Sequence, residues 1–150
     1  MAYLRVWIQM VWSTKNREPL IDGNERRHAL FNHISENAVK KDIYLDCING
    51  SCDHVHALVS LGLDQTVSKI AQHLKGESSH WLNQQNLVRR KFEWQDNFFA
   101  ASVSDSAVNQ VRIYINNQQE HHSKKTFSEE FGEFIKVHGF SENSSERLMG

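Results

Sequence analysis

The chain has 150 residues, 39% hydrophobic and 23% charged, a length and mix expected of one domain around one core. Seven Gly and one Pro exclude a collagen-like chain, and the balance of apolar and charged residues excludes disorder. With 17 Lys and Arg against 18 Asp and Glu the formal charge is −1, which argues against a strongly basic nucleic-acid binder. That total hides an asymmetry. Residues 1–127 carry fifteen basic against thirteen acidic side chains, net +2, and residues 128–150 carry two against five, net −3. The body is compatible with a phosphate-binding surface and equally with an ordinary mixed one. No run approaches the roughly 18 apolar residues of a membrane span, and the opening MAYLRVWIQMVWSTK alternates instead of forming a signal-peptide core. Cys47 and Cys52 form no CxxC pair, and two cysteines are too few for a disulfide framework, so a reducing cytoplasm is expected.

In chain order, residues 3–13 read as a half-buried strand, with Leu4, Val6, Ile8, Met10 and Trp12 facing one way and Tyr3, Arg5, Trp7 and Gln9 the other. The loop TKNREPLI follows, and Asp22 with Glu25 predicts a capping box opening a helix to about Lys41, buried along Leu30, Ile34 and Ala38. A second strand, IYLDCIN, leads to a turn at Asn49-Gly50 or over Gly50–Asp53, and a third strand runs HVHALVSL. After Asp64 a second helix carries Val67, Ile70, Ala71, Leu74, Ser78 and Trp81 at helical spacing. Residues 83–97 read as a polar, basic connection, and FFAASVS as a fourth strand. Ser104 or Asp105 then caps a third helix over roughly 106–122, and TFSEEFGEFIKVHGF predicts a short docking helix ahead of a frayed tail. The order β-α-β-β-α-β plus an extra helix predicts an α+β, ferredoxin-like antiparallel sheet with its two helices on one face. The other face is left for a ligand or for the third helix.

Two patterns carry chemistry. In the third strand Val55, Ala57 and Val59 alternate with His54 and His56, which places both imidazoles side by side on the face away from the core, close enough to ligate one metal ion. The same pattern is compatible with two surface histidines. In the third helix Val111, Tyr114, Gln118 and His121 form one stripe, so the Tyr114 phenol and the Gln118 amide lie one turn apart. An amide oxygen suits Mg²⁺ or Mn²⁺ and a phenol can act as a covalent nucleophile, although a tyrosine on such a helix also serves as core.

HVH at 54–56 followed by ALV, YINNQ at 114–118, the opening VWSTKNREPLI and SVSDS ahead of the tyrosine helix resemble the small single-tyrosine HUH transposases. These are the transposases of insertion sequences of the 200/605 type and their REP-associated relatives. The resemblance spans about residues 3–140. Gly50-Ser51-Cys52 stands where a proline-containing turn is expected before the histidines. The resemblance implies His54, His56 and Gln118 as ligands of a divalent metal, Mg²⁺ or Mn²⁺, and Tyr114 as the nucleophile. It also implies binding to hairpins in single-stranded DNA, cleavage and rejoining through a 5′-phosphotyrosine, and a homodimer in which tyrosine helices can complete each other's sites. Whether this chain works in cis or in trans is not written in its sequence.

Lys15, Arg17, Arg89, Arg90, Lys91, Lys124 and Lys125 are candidate phosphate contacts, His121 could adjoin the site, and Trp7 could stack on a base or be buried at a dimer interface. Two other readings compete with a mobile-element transposase. One is a domesticated hairpin-binding protein that does not turn over, or a single-strand nuclease of the same fold. The other is a phosphodiesterase that uses water in place of tyrosine.

Overall fold

The computed structural model describes residues 2–85, 90–118, 129, 130, 132 and 133. Its elements are β1 (Trp7–Ser13), α1 (Asn24–Lys40), β2 (Tyr44–Gly50), β3 (His54–Ser60), α2 (Val67–Gln85), β4 (Phe99–Val103) and α3 (Val108–Asn116). The four strands form one antiparallel sheet in the order β2-β3-β1-β4. This is the split β-α-β arrangement the element order predicts, because each helix carries the chain over one neighbouring strand before it returns.

Alternation decides which face is the core. Ile8, Met10 and Trp12 of β1 and Val55, Ala57 and Val59 of β3 pack with Leu30, Ile34 and Ala38 of α1 and Ile70, Leu74 and Leu82 of α2. Burying such side chains is worth about 1.5–3 kcal/mol each, enough to fix the strand register, since a slip by one residue would turn every one of them outward. The two helices are also joined at their edge by His33, whose ring stacks on Trp81 and whose Nε2 lies 2.7 Å from Glu77.

The structure corrects several boundaries. The first strand begins at Trp7, not Tyr3, and Tyr3 is almost fully exposed. Asp22 does not cap α1: Gly23 takes the N-cap position at φ +91°, and Asp22 accepts a hydrogen bond from the Gly23 amide at 3.0 Å. Helix α1 therefore opens at Asn24, where the left-handed turn at glycine re-aims the chain. The basic connection is shorter and less polar in role than its composition suggests. Helix α2 runs to Gln85, and Phe92 and Trp94 are buried in the core. Trp94 meets Trp12 edge-to-face at 6.0 Å and Phe92 at 4.6 Å. Three backbone carbonyls of this segment, those of Gln95, Asp96 and Asn97, accept from the Lys75 ammonium at 2.7, 2.9 and 3.3 Å, which holds it against α2.

The second sheet face is not open. Helix α3 crosses it, burying Val108 and Ile115 on Leu58, with Val111 and Tyr114 packed beside Trp7, Cys47 and Val103. Among the described residues no helix is long and apolar enough to cross a membrane.

Candidate functional site

The site starts with a turn. β2 ends at Gly50 and β3 begins at His54, and Ser51 closes the turn by donating its amide to the His54 carbonyl at 3.1 Å. A Cβ on Gly50 would run into that same carbonyl, so the close approach of the two strands requires glycine. The turn is held from outside by the segment that follows β1. Thr14 donates its amide to the Asp53 carbonyl at 2.8 Å and Ile21 donates to the Cys52 carbonyl at 3.0 Å. The stretch VWSTKNREPLI thus serves as the clamp behind the histidine strand.

His54 and His56 point to the α3 side of the sheet, as their alternation predicts, and both are fully buried. The Nδ1 atom of His54 lies 2.8 Å from the Asp53 carboxylate and 3.0 Å from Ser51 Oγ. Donation of Nδ1–H to Asp53 leaves the Nε2 lone pair directed into the site, the usual way a carboxylate orients a metal-binding imidazole. The His54 and His56 rings stand edge-to-face at 5.1 Å.

Helix α3 delivers the remaining groups. Tyr114 packs edge-on against His56 with ring centroids 5.6 Å apart, and its phenolic oxygen is buried. Gln118, just past the end of α3, is fully buried, and its Oε1 lies 3.4 Å from His54 Nε2. Its amide nitrogen donates to the Tyr114 carbonyl at 3.4 Å and to Glu130 at 3.3 Å, which fixes the oxygen toward the histidine. The helix ends earlier than its sequence pattern suggests, at Asn116, whose carbonyl accepts from Asn49 of β2 at 3.1 Å.

Glu130 was invisible to sequence reasoning. Its carboxylate reaches 3.0 Å from His56 Nε2 and 3.7 Å from His54 Nε2, and the residue is almost completely buried. The only signal was helical spacing of Phe127, Phe131 and Phe134, which marks a docking face but does not say that an acid between them reaches β3. Burial pushes the Glu130 carboxyl up to about 8, with Glu133 and Asp53 adding to the shift.

These groups fit a divalent cation. The candidate ligand atoms of His54, His56 and Glu130 all lie within 4.8 Å of one another. Ligand bonds of about 2.1 Å place octahedral neighbours about 3.0 Å apart and opposite ligands about 4.2 Å apart, a range that includes the 3.0 and 3.7 Å from Glu130 to the two imidazoles and the 3.4 Å from His54 to Gln118. With Nδ1 of His54 directed at Asp53, the lone pairs of its Nε2, of Gln118 Oε1 and of the Glu130 carboxylate converge. Two imidazoles, an amide oxygen and a carboxylate make a nitrogen–oxygen set suited to Mg²⁺ or Mn²⁺.

The other predicted residues fare differently. Lys15 and Lys91 both pair with Glu93, at 3.3 and 3.6 Å, and Arg90 pairs with Glu18 at 3.0 Å, all on exposed surface. Arg17 is the last residue of a short 3-10 turn that begins at Lys15. Arg89, His121, Lys124 and Lys125 lie outside the described residues. Trp7 is not available for stacking on an open face. It packs under α3, with its ring 5.7 Å from the Arg112 guanidinium and 6.1 Å from the Tyr44 ring, and donates Nε1–H to Asp105 at 3.3 Å. Cys47 is packed under the same helix, where burial and the Asp46 carboxylate push its thiol up to about 12.

Residues 2–118 match the family described as "Transposase IS200 like", a stretch that includes His54, His56, Tyr114 and Gln118. Comparison with curated proteins gives no match. Two solved structures share the fold. One is described as a "putative transposase" from Deinococcus radiodurans R1, with TM-score 0.63 and 20% identity, over 79% of this chain and 93% of that one. The other is a REP-associated tyrosine transposase bound to a REP hairpin, with TM-score 0.57 and 13% identity, over 83% of this chain and 71% of that one. A sequence match running from the first strand through the tyrosine helix, on the sheet these transposases share, means that the chain belongs to the IS200-like transposase family.

Proposed function

We propose that the protein is a metal-dependent DNA strand-transfer enzyme that recognises hairpins in single-stranded DNA and cuts and rejoins strands through Tyr114. The observation that carries the reading is the convergence of His54 Nε2, Gln118 Oε1 and the Glu130 carboxylate beside the Tyr114 ring. A surface histidine pair has no need of a buried amide and a buried acid aimed at it. The REP-associated neighbour was solved with a hairpin, which supports a hairpin as the substrate feature recognised.

His54, His56 and Gln118 would hold the ion, with Glu130 alongside. When bound, a divalent ion supplies Lewis-acid relief of charge on the phosphate oxygens. The protein's own groups then have separate tasks. Asp53 holds the His54 tautomer, and Glu130 and the Tyr114 carbonyl hold the Gln118 amide in its rotamer. Tyr114 Oη loses its proton and bonds to phosphorus while the bond from phosphorus to the 3′-oxygen breaks. The products are a 5′-phosphotyrosine and a strand ending in a 3′-hydroxyl. The phosphotyrosine keeps the energy of the broken phosphodiester, so attack by another 3′-hydroxyl restores a phosphodiester, frees the phenol and needs no ATP.

The test is covalent capture. Hairpin-bearing single-stranded oligonucleotides drawn from the DNA flanking the gene are incubated with the protein and Mg²⁺ or Mn²⁺. A denaturation-resistant adduct on Tyr114, absent with EDTA and with Tyr114→Phe, is the expected result. Cleavage retained by Tyr114→Phe would mean that water is the nucleophile, and hairpin binding unaffected by EDTA without any cleavage would mean a binding module.

A further inference from the structure

Helix α3 is short and thinly packed. Of its nine residues only Val108 and Ile115 are buried, clustered with Leu58, while Val111 and Tyr114 are partly buried beside Trp7, Cys47 and Val103. A helix of this length has no independent stability, and a thin apolar stripe with two fully buried side chains holds its roll about its own axis only loosely. Side chains stand about 6 Å from a helix axis, so a roll of about 20° moves a tip by about 2 Å. A tyrosine that must attack in line cannot tolerate that freedom.

Besides the Asn49 bond to the Asn116 carbonyl, a bidentate ion pair opposes the roll. Arg112, two residues before Tyr114, donates Nε–H to Asp46 Oδ2 at 2.7 Å and Nη2–H to Oδ1 at 2.8 Å. Its remaining nitrogen, Nη1, donates to Asn109 one turn back at 2.8 Å, so the guanidinium is committed within the protein. The Asp46 side chain is only 10% exposed, and the indole of Trp7 lies against the other side of the guanidinium. Asp46 reaches the helix because of an irregularity in the sheet. Leu45 pairs with Val59 and Cys47 with Leu58, so Asp46 is an extra residue in β2. Leu45 packs into the main core and Cys47 under α3, and the bulge sends Asp46 to the α3 side next to Cys47. Regular pairing would have given that side one of the two positions. Bulges of this kind re-aim single side chains beside functional sites.

We propose that Asp46 and Arg112 are positioning residues for Tyr114: their bidentate pair fixes the roll of α3 and so holds the phenol ring against His56. The inference rests on the reading of Tyr114 as the nucleophile. Its geometric half, that the pair sets where Tyr114 lies, can be judged without DNA.

The test uses the full chain with Asp46→Asn and Arg112→Lys, and the charge-reversed double variant Asp46→Arg/Arg112→Asp. Without DNA, nitration by tetranitromethane is followed at Tyr114 by mass spectrometry, with the exposed Tyr3 as internal reference. Both single variants should raise the Tyr114 rate relative to Tyr3, and the double variant should bring it back toward wild type. With hairpin oligonucleotides, both should slow adduct formation at saturating DNA by about 10–100-fold, the scale of an ångström's misplacement. The oligonucleotide concentration for half-maximal rate should stay within about threefold of wild type, as expected for a pair that does not touch DNA. Unchanged nitration with adduct rates within about twofold of wild type, alongside a lower Tm, would reduce the pair to a stability contact and overturn the proposal. So would an effect confined to the DNA concentration dependence, which would make Arg112 a DNA contact. Should Asp46→Asn fail to fold, Arg112→Lys, which keeps the charge and loses the fork, carries the same readouts. If wild type itself forms no adduct, the function assigned to Tyr114 fails, while nitration still decides whether the pair positions it.

Discussion

The Glu130 carboxylate and the His56 imidazole meet at 3.0 Å with both side chains sealed from solvent. A buried acid in that position faces two imidazoles and accepts from the Gln118 amide nitrogen, and it responds to whichever positive species is present. With no metal, a proton is the available one, and burial holds the carboxyl up at about 8, well above the ordinary range for glutamate. A divalent cation would displace that proton and bind the carboxylate instead. The same residue therefore links metal affinity, proton release and stability, and each link can be measured separately.

Metal affinity comes first. Glu130→Gln keeps the shape of the side chain and removes its charge. Mn²⁺ binding to metal-free protein, followed by isothermal titration calorimetry, should weaken at least about tenfold, or about 1.4 kcal/mol. His54→Ala should weaken it further, since it removes a ligand outright. Equal Mn²⁺ affinity in wild type and Glu130→Gln would take Glu130 out of the ligand set.

Stability should depend on pH with a definite sign. The carboxyl titrates near 8 in the folded, metal-free protein and near its ordinary 4.5 when unfolded. Between those values the folded state keeps a proton that the unfolded chain has released, so raising pH through this window costs stability. Urea unfolding of metal-free protein should give a lower midpoint at pH 8 than at pH 5.5, and Glu130→Gln should flatten this part of the profile. Mn²⁺ should reverse the trend, because metal binding needs the carboxylate and grows stronger as protons become scarcer. A midpoint that rises from pH 5.5 to 8 in metal-free wild type, and does so equally in Glu130→Gln, would contradict this account.

The sequence made some of these relations legible and hid others for physical reasons. Strict alternation in HVHALVS placed His54 and His56 on the face away from the core, because strand geometry leaves only two choices. Helical spacing set Tyr114 and Gln118 one turn apart, and Gln118, although just past the end of α3, still bonds to the Tyr114 carbonyl. What could not be read were contacts between elements far apart in the chain. Glu130 approaches β3, Asp46 reaches α3 and Trp94 returns to Trp12, and no spacing rule connects such positions. Trp94 was hidden further by polar and charged neighbours that mask its burial. The Asp22 cap failed for a local reason, since a glycine one residue later took the backbone conformation that opens the helix.

The core makes its own prediction at Ser78. This fully buried serine donates to the Leu74 carbonyl at 2.6 Å and accepts from Trp94 Nε1 at 3.0 Å. Ser78→Ala removes the acceptor and leaves the indole N–H buried with nothing to bond, at a cost of about 1–3 kcal/mol. Urea denaturation should show that loss without a change in the slope of the transition. Wild-type stability in Ser78→Ala would mean that the indole finds another acceptor, and the role given to Ser78 would be wrong.

Two glycines separate space that is needed from space that is not. At Gly50 a methyl group would meet the His54 carbonyl and come within 3.0 Å of the Val55 Cα, both rigid backbone. The turn would have to open, at a cost of about 1–3 kcal/mol, typical of overpacking. Because the displaced atom belongs to His54, the loss should not stop at stability: Gly50→Ala should also weaken Mn²⁺ binding in the same titration. Gly76, within α2, has nothing within 4 Å of an added Cβ, so Gly76→Ala should stabilise by roughly 0.5–1 kcal/mol through helix propensity alone. It should leave Mn²⁺ affinity where it was. If Gly50→Ala loses stability but binds Mn²⁺ as tightly as Gly76→Ala does, the turn is a folding requirement only. In that case the aim of the His54 imidazole is set by Asp53 and Ser51 rather than by the path of the backbone before it.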